Sequence, residues 1–213
     1  KTSIQTCHGI YPALEQPDPN VTKLVTISQE VQNHIKGKGM ESTIIHNGVD
    51  VDRFSPIKPI NTKLKKVFSL AHDQGVNQLI ANACAKAGIE FEWHNKYINP
   101  IFDIEKKIQE ADLVVTLGRG AYESMACGRP VFILDNRGYS GQGMVGDGLL
   151  TADTIDKSLE NNCSGRAFKK RFTEAMVLEE FAKYDSSLGD YFRDYALKNF
   201  NMDIQLEKYL AIK

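Results

Sequence analysis

Residues 111–135 read ADLVVTLGRGAYESMACGRPVFILD, and this stretch decides the fold. Its apolar run at 113–115 is short and β-branched, which is typical of a buried strand. A glycine-flanked turn at 118–120 follows, then a short helix over 121–127 and a second buried strand over 131–134. This order of strand, turn, helix and strand is the unit of a parallel sheet, in which ligands bind where strands end and helices begin.

The start of this helix is suited to a phosphate group. The first turn of a helix has free backbone N–H groups and the positive end of the helix dipole. Arg119, between Gly118 and Gly120, places a guanidinium with several donors at the same point. Glu123 lies one turn further on, where its carboxylate can accept hydrogen bonds from ribose hydroxyls. These four residues therefore predict a nucleotide-binding pocket.

The rest of the chain continues the alternation of strands and helices. Short apolar runs predict further strands over residues 23–28, 43–45, 65–71 and 89–93. Helices are predicted after the capping residues Ser28 and Asp73, and over residues 101–108 and 166–212. The order predicts an α/β fold, with a Rossmann-like, doubly wound parallel sheet, helices on both faces and a helical C-terminal tail.

Two stretches also carry a family resemblance. ESMACGRPV at 123–131 resembles the donor site of glycosyltransferases of the GT-B fold (group 1, or family 4-like) and of the related sugar-nucleotide epimerases. In that segment a Glu near a helix start holds the ribose of a nucleotide sugar. HNGVDVDRFSP at 46–56 resembles the junction between the two halves of these transferases. The resemblance implies that residues 1–55 are the end of the acceptor-side domain with its linker. It also implies that residues 56–213 are the nucleotide-sugar-binding domain with C-terminal helices.

The same resemblance suggests residues beside the reacting sugar. His8-Gly9 follows a predicted strand end, and a His at this point lines the cleft in retaining members, so His8 is a candidate catalytic residue. A loop histidine without a chemical role is the alternative. The glycine-rich segment 136–148 is predicted to be a loop, and its family counterpart faces the transferred sugar. Gly138, Tyr139 and Ser140 are therefore candidate donor-binding residues, although a disordered surface loop explains the composition equally well.

The function that the resemblance implies is transfer of a sugar from a UDP- or GDP-sugar to a glycan, lipid or small-molecule acceptor. No metal is expected to be obligatory. Asp50 and Asp52 form a DxD, which in another glycosyltransferase fold holds a cation, but their flanks resemble the metal-free linker. Asn47-Gly48 predicts a turn at this junction, which a plain hairpin would also explain.

One feature of the sequence departs from the family pattern. Members usually carry an Arg and a Lys for the diphosphate in the loop after the first strand of the second half, and residues 69–75 contain neither. A catalytically silent nucleotide-sugar-binding or interaction domain is therefore an alternative function. A sugar-nucleotide epimerase is a further one, although the junction at 46–56 argues against it.

Composition sets the remaining expectations. The chain has 213 residues, 42% hydrophobic and 25% charged, with a net charge of -1 and scattered basic residues, so no nucleic-acid partner is expected. No apolar run approaches the roughly 20 residues of a membrane span and no signal peptide is recognisable, which favours a cytoplasmic location. Because the chain begins at Lys1 rather than Met, we expect it to be part of a longer enzyme, and peripheral membrane association of that enzyme stays open.

The widely spaced cysteines (Cys7, Cys84, Cys127 and Cys163) are expected to be reduced structural thiols.

Overall fold

The structure, a computed structural model, describes residues 2–95, 98, 100–138 and 141–212. Within them the chain is an α/β protein with eight strands and eight α-helices. The strands are β1 (Ile4–Cys7), β2 (Lys23–Thr26), β3 (Thr43–Ile44), β4 (Lys66–Ser69), β5 (Glu90–Trp93), β6 (Leu113–Thr116), β7 (Val131–Asn136) and β8 (Met144–Leu149). The helices are α1 (Gln29–Lys36), α2 (Gln74–Ala87), α3 (Ile104–Glu110), α4 (Arg119–Ala126), α5 (Ile155–Glu160), α6 (Glu174–Ala182), α7 (Leu188–Asn199) and α8 (Met202–Leu210).

Side-chain caps start two helices where the sequence predicts them. The Ser28 hydroxyl accepts a hydrogen bond from the Val31 N–H at 3.4 Å, and the Asp73 carboxylate accepts one from the Val76 N–H at 3.0 Å. Each cap satisfies an N–H group that the first helical turn leaves without a partner. Gly88 ends α2 at φ +69, a conformation that glycine adopts without strain.

The larger sheet has the strand order β5-β4-β6-β7-β8. Strands β5, β4, β6 and β7 run parallel to one another. After β4 the chain adds β5 on one side, then returns to add β6 on the other side of β4. The strand order therefore reverses between β4 and β6, and such a reversal opens a crevice at the carboxyl ends of the two strands.

Helices cover both faces of this sheet, as predicted. Successive strand residues point to opposite faces, so Phe68 and Val114 join one buried core while Val67 and Val115 join another. The first core includes buried residues of α3, α4, α5 and α7, and the second includes those of α2 and α6. The strands are apolar on both sides for this reason.

The glycine-rich segment is only partly the loop that the sequence predicts. Residues 144–149 form the edge strand β8, which pairs with β7 in the antiparallel direction, so the sheet is not wholly parallel. Gly146 permits this pairing, because a Cβ there would lie 2.1 Å from the Ile133 carbonyl oxygen. The ladder has an irregularity between Ile133 and Leu134, which no residue pattern in this stretch indicates.

The helical tail also begins later than predicted. Residues 166–168 form a turn, and Lys170 then pairs with Gly146 through two backbone hydrogen bonds, of 2.9 and 3.0 Å, so residues 166–173 do not form the predicted helix. Helix α6 starts at Glu174 after the Thr173 cap. Helix α5 was not predicted at all, because its six residues are too few for a clear helical period.

The smaller sheet consists of β1, β2 and β3, which are parallel and in sequence order. Helix α1 packs on it through Val31 and Ile35. The last helix, α8, returns to this sheet, since the Tyr209 hydroxyl lies 2.8 Å from the Thr6 hydroxyl. The division of the chain at residue 55 stays a prediction.

The junction between the sheets differs from the predicted turn at Asn47-Gly48. No turn is assigned over the described residues 45–48. Instead, Val49 bonds to the α7–α8 connection: its N–H donates to the Phe200 carbonyl at 2.7 Å, and its carbonyl accepts from the Met202 N–H at 3.0 Å. The turn comes later, over residues 51–54, where Asp50 Oδ1 accepts from two backbone N–H groups.

All four cysteines are buried and none forms a disulfide. Burial raises the pKa of the Cys84 and Cys127 thiols to about 12, so both stay protonated at neutral pH.

No helix in the described part of the chain is both long and apolar enough to cross a bilayer.

The edge strand gives a test of the fold. Substitution Gly146→Ala should lower the free energy of unfolding by about 2–3 kcal/mol, because the methyl group must displace β7 or β8 backbone. Urea unfolding measures this change. Gly37→Ala is the control, since Gly37 has a helical φ of -62 and a Cβ there would be no nearer than 3.4 Å to another atom. Equal stability of the two variants would contradict the pairing of β7 with β8.

Candidate functional site

The connection from β6 to α4 places the start of α4 in the crevice between β4 and β6. Gly118 adopts φ +57 and ψ -127, which side chains with a Cβ strongly disfavour. A Cβ on Gly120 would lie 2.3 Å from the Thr116 hydroxyl, so only glycine lets the helix begin this close to the strand. Both glycines that the sequence singles out are therefore required by the backbone geometry.

The amino end of α4 carries backbone N–H groups that can donate hydrogen bonds to a ligand. In the described part of the chain no side chain caps this helix, and the Gly118 N–H is already bonded to the Cys163 carbonyl at 2.9 Å. Among the described residues, the backbone N–H groups of Arg119 and Gly120 have no hydrogen-bond acceptor. Such groups, together with the helix dipole, attract an anion.

A cavity of about 390 Å³ lies in front of this helix. Four strands of the larger sheet contribute to it through residues that follow their carboxyl ends, namely Leu70, His72, His94, Leu117 and Arg137. Its other side is formed by α3 and α4. The volume falls in the range of about 300–1,000 Å³ that is usual for small-molecule sites.

Arg119, Gly120 and Glu123 all line this cavity, so the structure brings three of the predicted residues together. Arg119 Nε donates to Glu123 Oε1 at 2.9 Å, one helical turn away. The Glu123 side chain is only 14% exposed, whereas that of Arg119 is 59% exposed. Burial raises the pKa of Glu123 above its ordinary value, and the nearby Arg119 charge offsets only part of this effect.

Sequence reasoning missed Arg137, which lies directly after β7. Its Nε is 2.9 Å from Asp135 Oδ2, and its Nη1 donates to His72 Nδ1 at 2.6 Å. Arg137 therefore brings a positive charge to the loop at 69–75, which has no Arg or Lys of its own. Its position after a buried strand, next to the crevice, was the signal that could have identified it.

His94 was also missed, and it lies at the apolar end of the cavity beside Leu70, Ile101 and Ile104. The residue is 5% exposed, and its Nε2 has no hydrogen-bond partner among the described residues. Burial lowers the pKa of His94, so the ring is neutral at pH 7. A buried polar atom without a partner is uncommon in proteins and often marks a binding site.

His8 lies after β1 and is exposed. It lines a second cavity, of about 290 Å³, together with Gly118 and Arg166. The two cavities share Leu117 and Arg137 as lining residues. The structure thus brings His8 and Gly118 together, next to the cavity of Glu123 but not inside it.

A salt bridge beside this second cavity joins α1, which packs on the small sheet, to the loop between α5 and α6. Arg166 donates to both carboxylate oxygens of Glu30, at 2.7 and 2.5 Å, and both side chains are largely buried. The Arg166 guanidinium also lies 5.7 Å from the centre of the Tyr11 ring. Paired contacts of this kind fix the geometry of two planar groups, so they hold the walls of the cavity in place.

Of the three residues predicted in the glycine-rich segment, Gly138 lies in the described part of the chain. Gly138 is exposed and lines neither of these cavities. Tyr139 and Ser140 lie outside the described residues, so their predicted roles stay predictions. Asp50 and Asp52 belong to the turn at the junction, and among the described residues no group of three potential metal ligands occurs.

The chain matches no protein-family model and no curated protein sequence. Its function has to be inferred from the cavities themselves. These combine the open amino end of α4, the paired residues Arg119 and Glu123 and a cation from Arg137. They also contain His94, whose Nε2 has no partner among the described residues, and the neighbouring His8.

The raised pKa of Glu123 predicts a pH-dependent effect on stability. The folded protein disfavours the ionised carboxylate, so the wild type is penalised at pH 7, and the penalty disappears as the pH falls below the ordinary carboxyl value of 4.5. Glu123→Gln should therefore raise the melting temperature at pH 7 and leave it unchanged at about pH 4. Thermal unfolding across this pH range measures the difference.

The matched control is Glu179→Gln, which removes an exposed carboxylate on α6. It should leave the melting temperature at pH 7 close to that of the wild type. A Glu123→Gln variant that is less stable than wild type at pH 7, and equal to it at low pH, would mean that the carboxylate is stabilised by its surroundings.

Proposed function

We propose that this chain is the nucleotide-sugar-binding part of a glycosyltransferase of the GT-B fold, of the retaining kind. The observation that carries the proposal is the open amino end of α4 at the strand-order reversal, with Glu123 one turn away. The doubly wound sheet and the second parallel sheet across the cleft support it, because GT-B enzymes bind their donor between two such units.

The diphosphate of the donor would rest against the start of α4. The N–H groups of Arg119 and Gly120 would donate to its oxygens, and the Arg119 and Arg137 guanidinium groups would supply positive charge. Charge stabilisation of a departing diphosphate is the main requirement of this reaction. The proposed mechanism assigns that role to protein groups and involves no obligatory metal.

The nucleoside would occupy the rest of the cavity. Glu123 presents carboxylate oxygens that can accept hydrogen bonds from the ribose hydroxyls. The base would lie at the apolar end, between Leu70 and the isoleucines of α3 and the segment before it. A cavity with one cationic end and one apolar end suits a nucleoside diphosphate better than a fully charged or fully apolar ligand.

The transferred sugar would extend toward the second cavity, where His8 lies. That cavity adjoins the first at Leu117 and Arg137, so a ligand could occupy both. Its far wall is the segment that follows β1 of the small sheet, residues 8–12 and 15, and the acceptor would lie on that side. The acceptor would be a glycan, a lipid or a small molecule.

Nucleotide titration tests the proposal. Wild-type protein should bind UDP or GDP, and Glu123→Ala should bind it at least roughly tenfold more weakly, because hydrogen bonds to a charged acceptor are lost. Isothermal titration calorimetry measures both affinities. Glu179→Ala removes an exposed carboxylate on α6, remote from the cavity, and should bind as the wild type does.

Two results would contradict the proposal. One is the absence of UDP and GDP binding at millimolar nucleotide. The other is equal binding by all three proteins, since Glu123 would then not contact the ligand.

A substitution at His8 separates binding from turnover. With the full-length protein and a saturating UDP- or GDP-sugar, His8→Asn should slow nucleotide release by roughly 100-fold, as expected when a group beside the reacting atoms is removed. Nucleotide affinity should not change, because His8 lies outside the cavity of Glu123. Unchanged turnover would leave His8 as a loop residue without a role in transfer.

A specific observation supports the second candidate, a nucleotide-sugar-binding module without turnover. Both cleft arginines already pair with carboxylates of the chain, Arg119 with Glu123 and Arg137 with Asp135. These two ion pairs reduce the positive charge that the arginines can present to a diphosphate. Nucleotide binding by the full-length protein without release of nucleotide from any donor sugar would favour this candidate.

A further inference from the structure

The second cavity, in which His8 lies, contains a carboxylate that is available to a ligand. Glu15 ends a short 3₁₀ helix, Ala13–Glu15, in the segment after β1, and its side chain lines the cavity. In the described part of the chain this carboxylate takes part in no hydrogen bond and no salt bridge. The side chain is half-buried and neither of its oxygens is fully enclosed, so a ligand in the cavity can reach the carboxylate.

Gly9 leaves the room that the Glu15 carboxylate occupies. A Cβ on residue 9 would lie 2.2 Å from Glu15 Oε2, so the carboxylate rests against the backbone directly after His8. Any other residue at position 9 would push the Glu15 side chain away from this place. The sequence of the segment therefore positions an acceptor next to the candidate catalytic residue.

The side of the cavity that adjoins α4 presents a donor, the Nδ2 group of Asn162. The buried Tyr122 hydroxyl donates to Asn162 Oδ1 at 2.7 Å, so the amide has a fixed orientation. Its Nδ2 lies beside Gly118, where an added Cβ would come within 3.4 Å of it. Among the described residues this nitrogen has no hydrogen-bond partner, yet it is not fully enclosed, so it can donate to a ligand.

The arginines that line this cavity already have carboxylate partners. Arg166 donates to both carboxylate oxygens of Glu30, and Arg137 forms a salt bridge of 2.9 Å with a carboxylate of β7. The other titratable side chains among the described lining residues with a charged form at neutral pH are those of His8 and Glu15, apart from the Tyr11 phenol. A carboxylate or phosphate on a sugar bound here would therefore meet a like charge, with both arginines already engaged.

We propose that the sugar on the donor is neutral, with hydroxyl groups that donate to Glu15 and accept from Asn162. Each sugar hydroxyl is both a donor and an acceptor, so one carboxylate and one amide can bind the same ring. Ile10, Pro12 and Leu117 add apolar surface for the C–H groups of that ring. Sugars that carry a carboxylate are rejected by Glu15. This assignment depends on the proposed function, because the sugar enters the cavity as part of a nucleotide sugar.

Calorimetric titration with matched ligands tests this specificity. The ligands are UDP, UDP-glucose and UDP-glucuronate, or GDP, GDP-mannose and GDP-mannuronate if GDP is the nucleotide that binds. Wild-type protein should bind the neutral nucleotide sugar at least roughly tenfold more tightly than the acidic one, because the acidic sugar brings a second carboxylate into the cavity of Glu15.

A charge variant isolates the role of the carboxylate. Glu15→Gln should weaken binding of the neutral nucleotide sugar roughly tenfold, since a charged acceptor is lost, and should strengthen binding of the acidic one. Its affinity for the nucleoside diphosphate should not change, because Glu15 lies outside the donor cavity. Glu41→Gln removes an exposed carboxylate between α1 and β3, outside both cavities, and should bind all three ligands as the wild type does.

A second variant isolates the role of the amide. Asn162→Gly removes the donor and keeps the backbone, because Asn162 has φ +56 and glycine adopts this conformation without strain. It should weaken binding of both nucleotide sugars roughly fivefold and leave binding of the nucleoside diphosphate unchanged.

The outcomes distinguish a failure of this assignment from a failure of the proposed function. Absence of UDP and GDP binding would overturn both. Nucleotide binding without a preference for the neutral sugar would overturn the neutral-sugar assignment alone. The same holds for a preference that Glu15→Gln leaves unchanged, and for unaltered binding of both nucleotide sugars by Asn162→Gly.

Discussion

The close approach of α4 to β6 is the constraint on which the cleft depends. The helix begins two residues beyond Leu117, and only the missing Cβ of Gly120 leaves room for the Thr116 hydroxyl. Gly118 makes the approach possible by adopting a backbone conformation that other residues avoid. As a result, the helix dipole points into the crevice where the strand order reverses, and Glu123 is held in a buried position that raises its pKa.

Much of the fold could be predicted because its signals are local. The caps Ser28 and Asp73 mark their helices directly, and short apolar runs mark the buried strands. The edge strand β8 could not be predicted, because Gly146 is explained by its contact with the Ile133 carbonyl on another strand. The same pairing draws Lys170 into an extended segment, which is why the helical period before Glu174 was misleading.

The candidate site was predictable where its residues share one segment. Gly118, Arg119, Gly120 and Glu123 occur within one turn and helix, so their proximity follows from local structure. Arg137 and His94 enter the cavity from the ends of other strands, and their arrival depends on the strand order, which the sequence alone leaves undetermined. The pairing of Arg119 with Glu123 was also not foreseen, although the spacing of four residues on a helix permits it.

The most direct test of the cleft is a crystal structure of the protein with UDP or GDP bound. The account predicts a diphosphate within hydrogen-bonding distance of the Arg119 and Gly120 N–H groups, with Glu123 bonded to the ribose hydroxyls. A nucleotide bound elsewhere on the protein, with the start of α4 facing solvent, would contradict it.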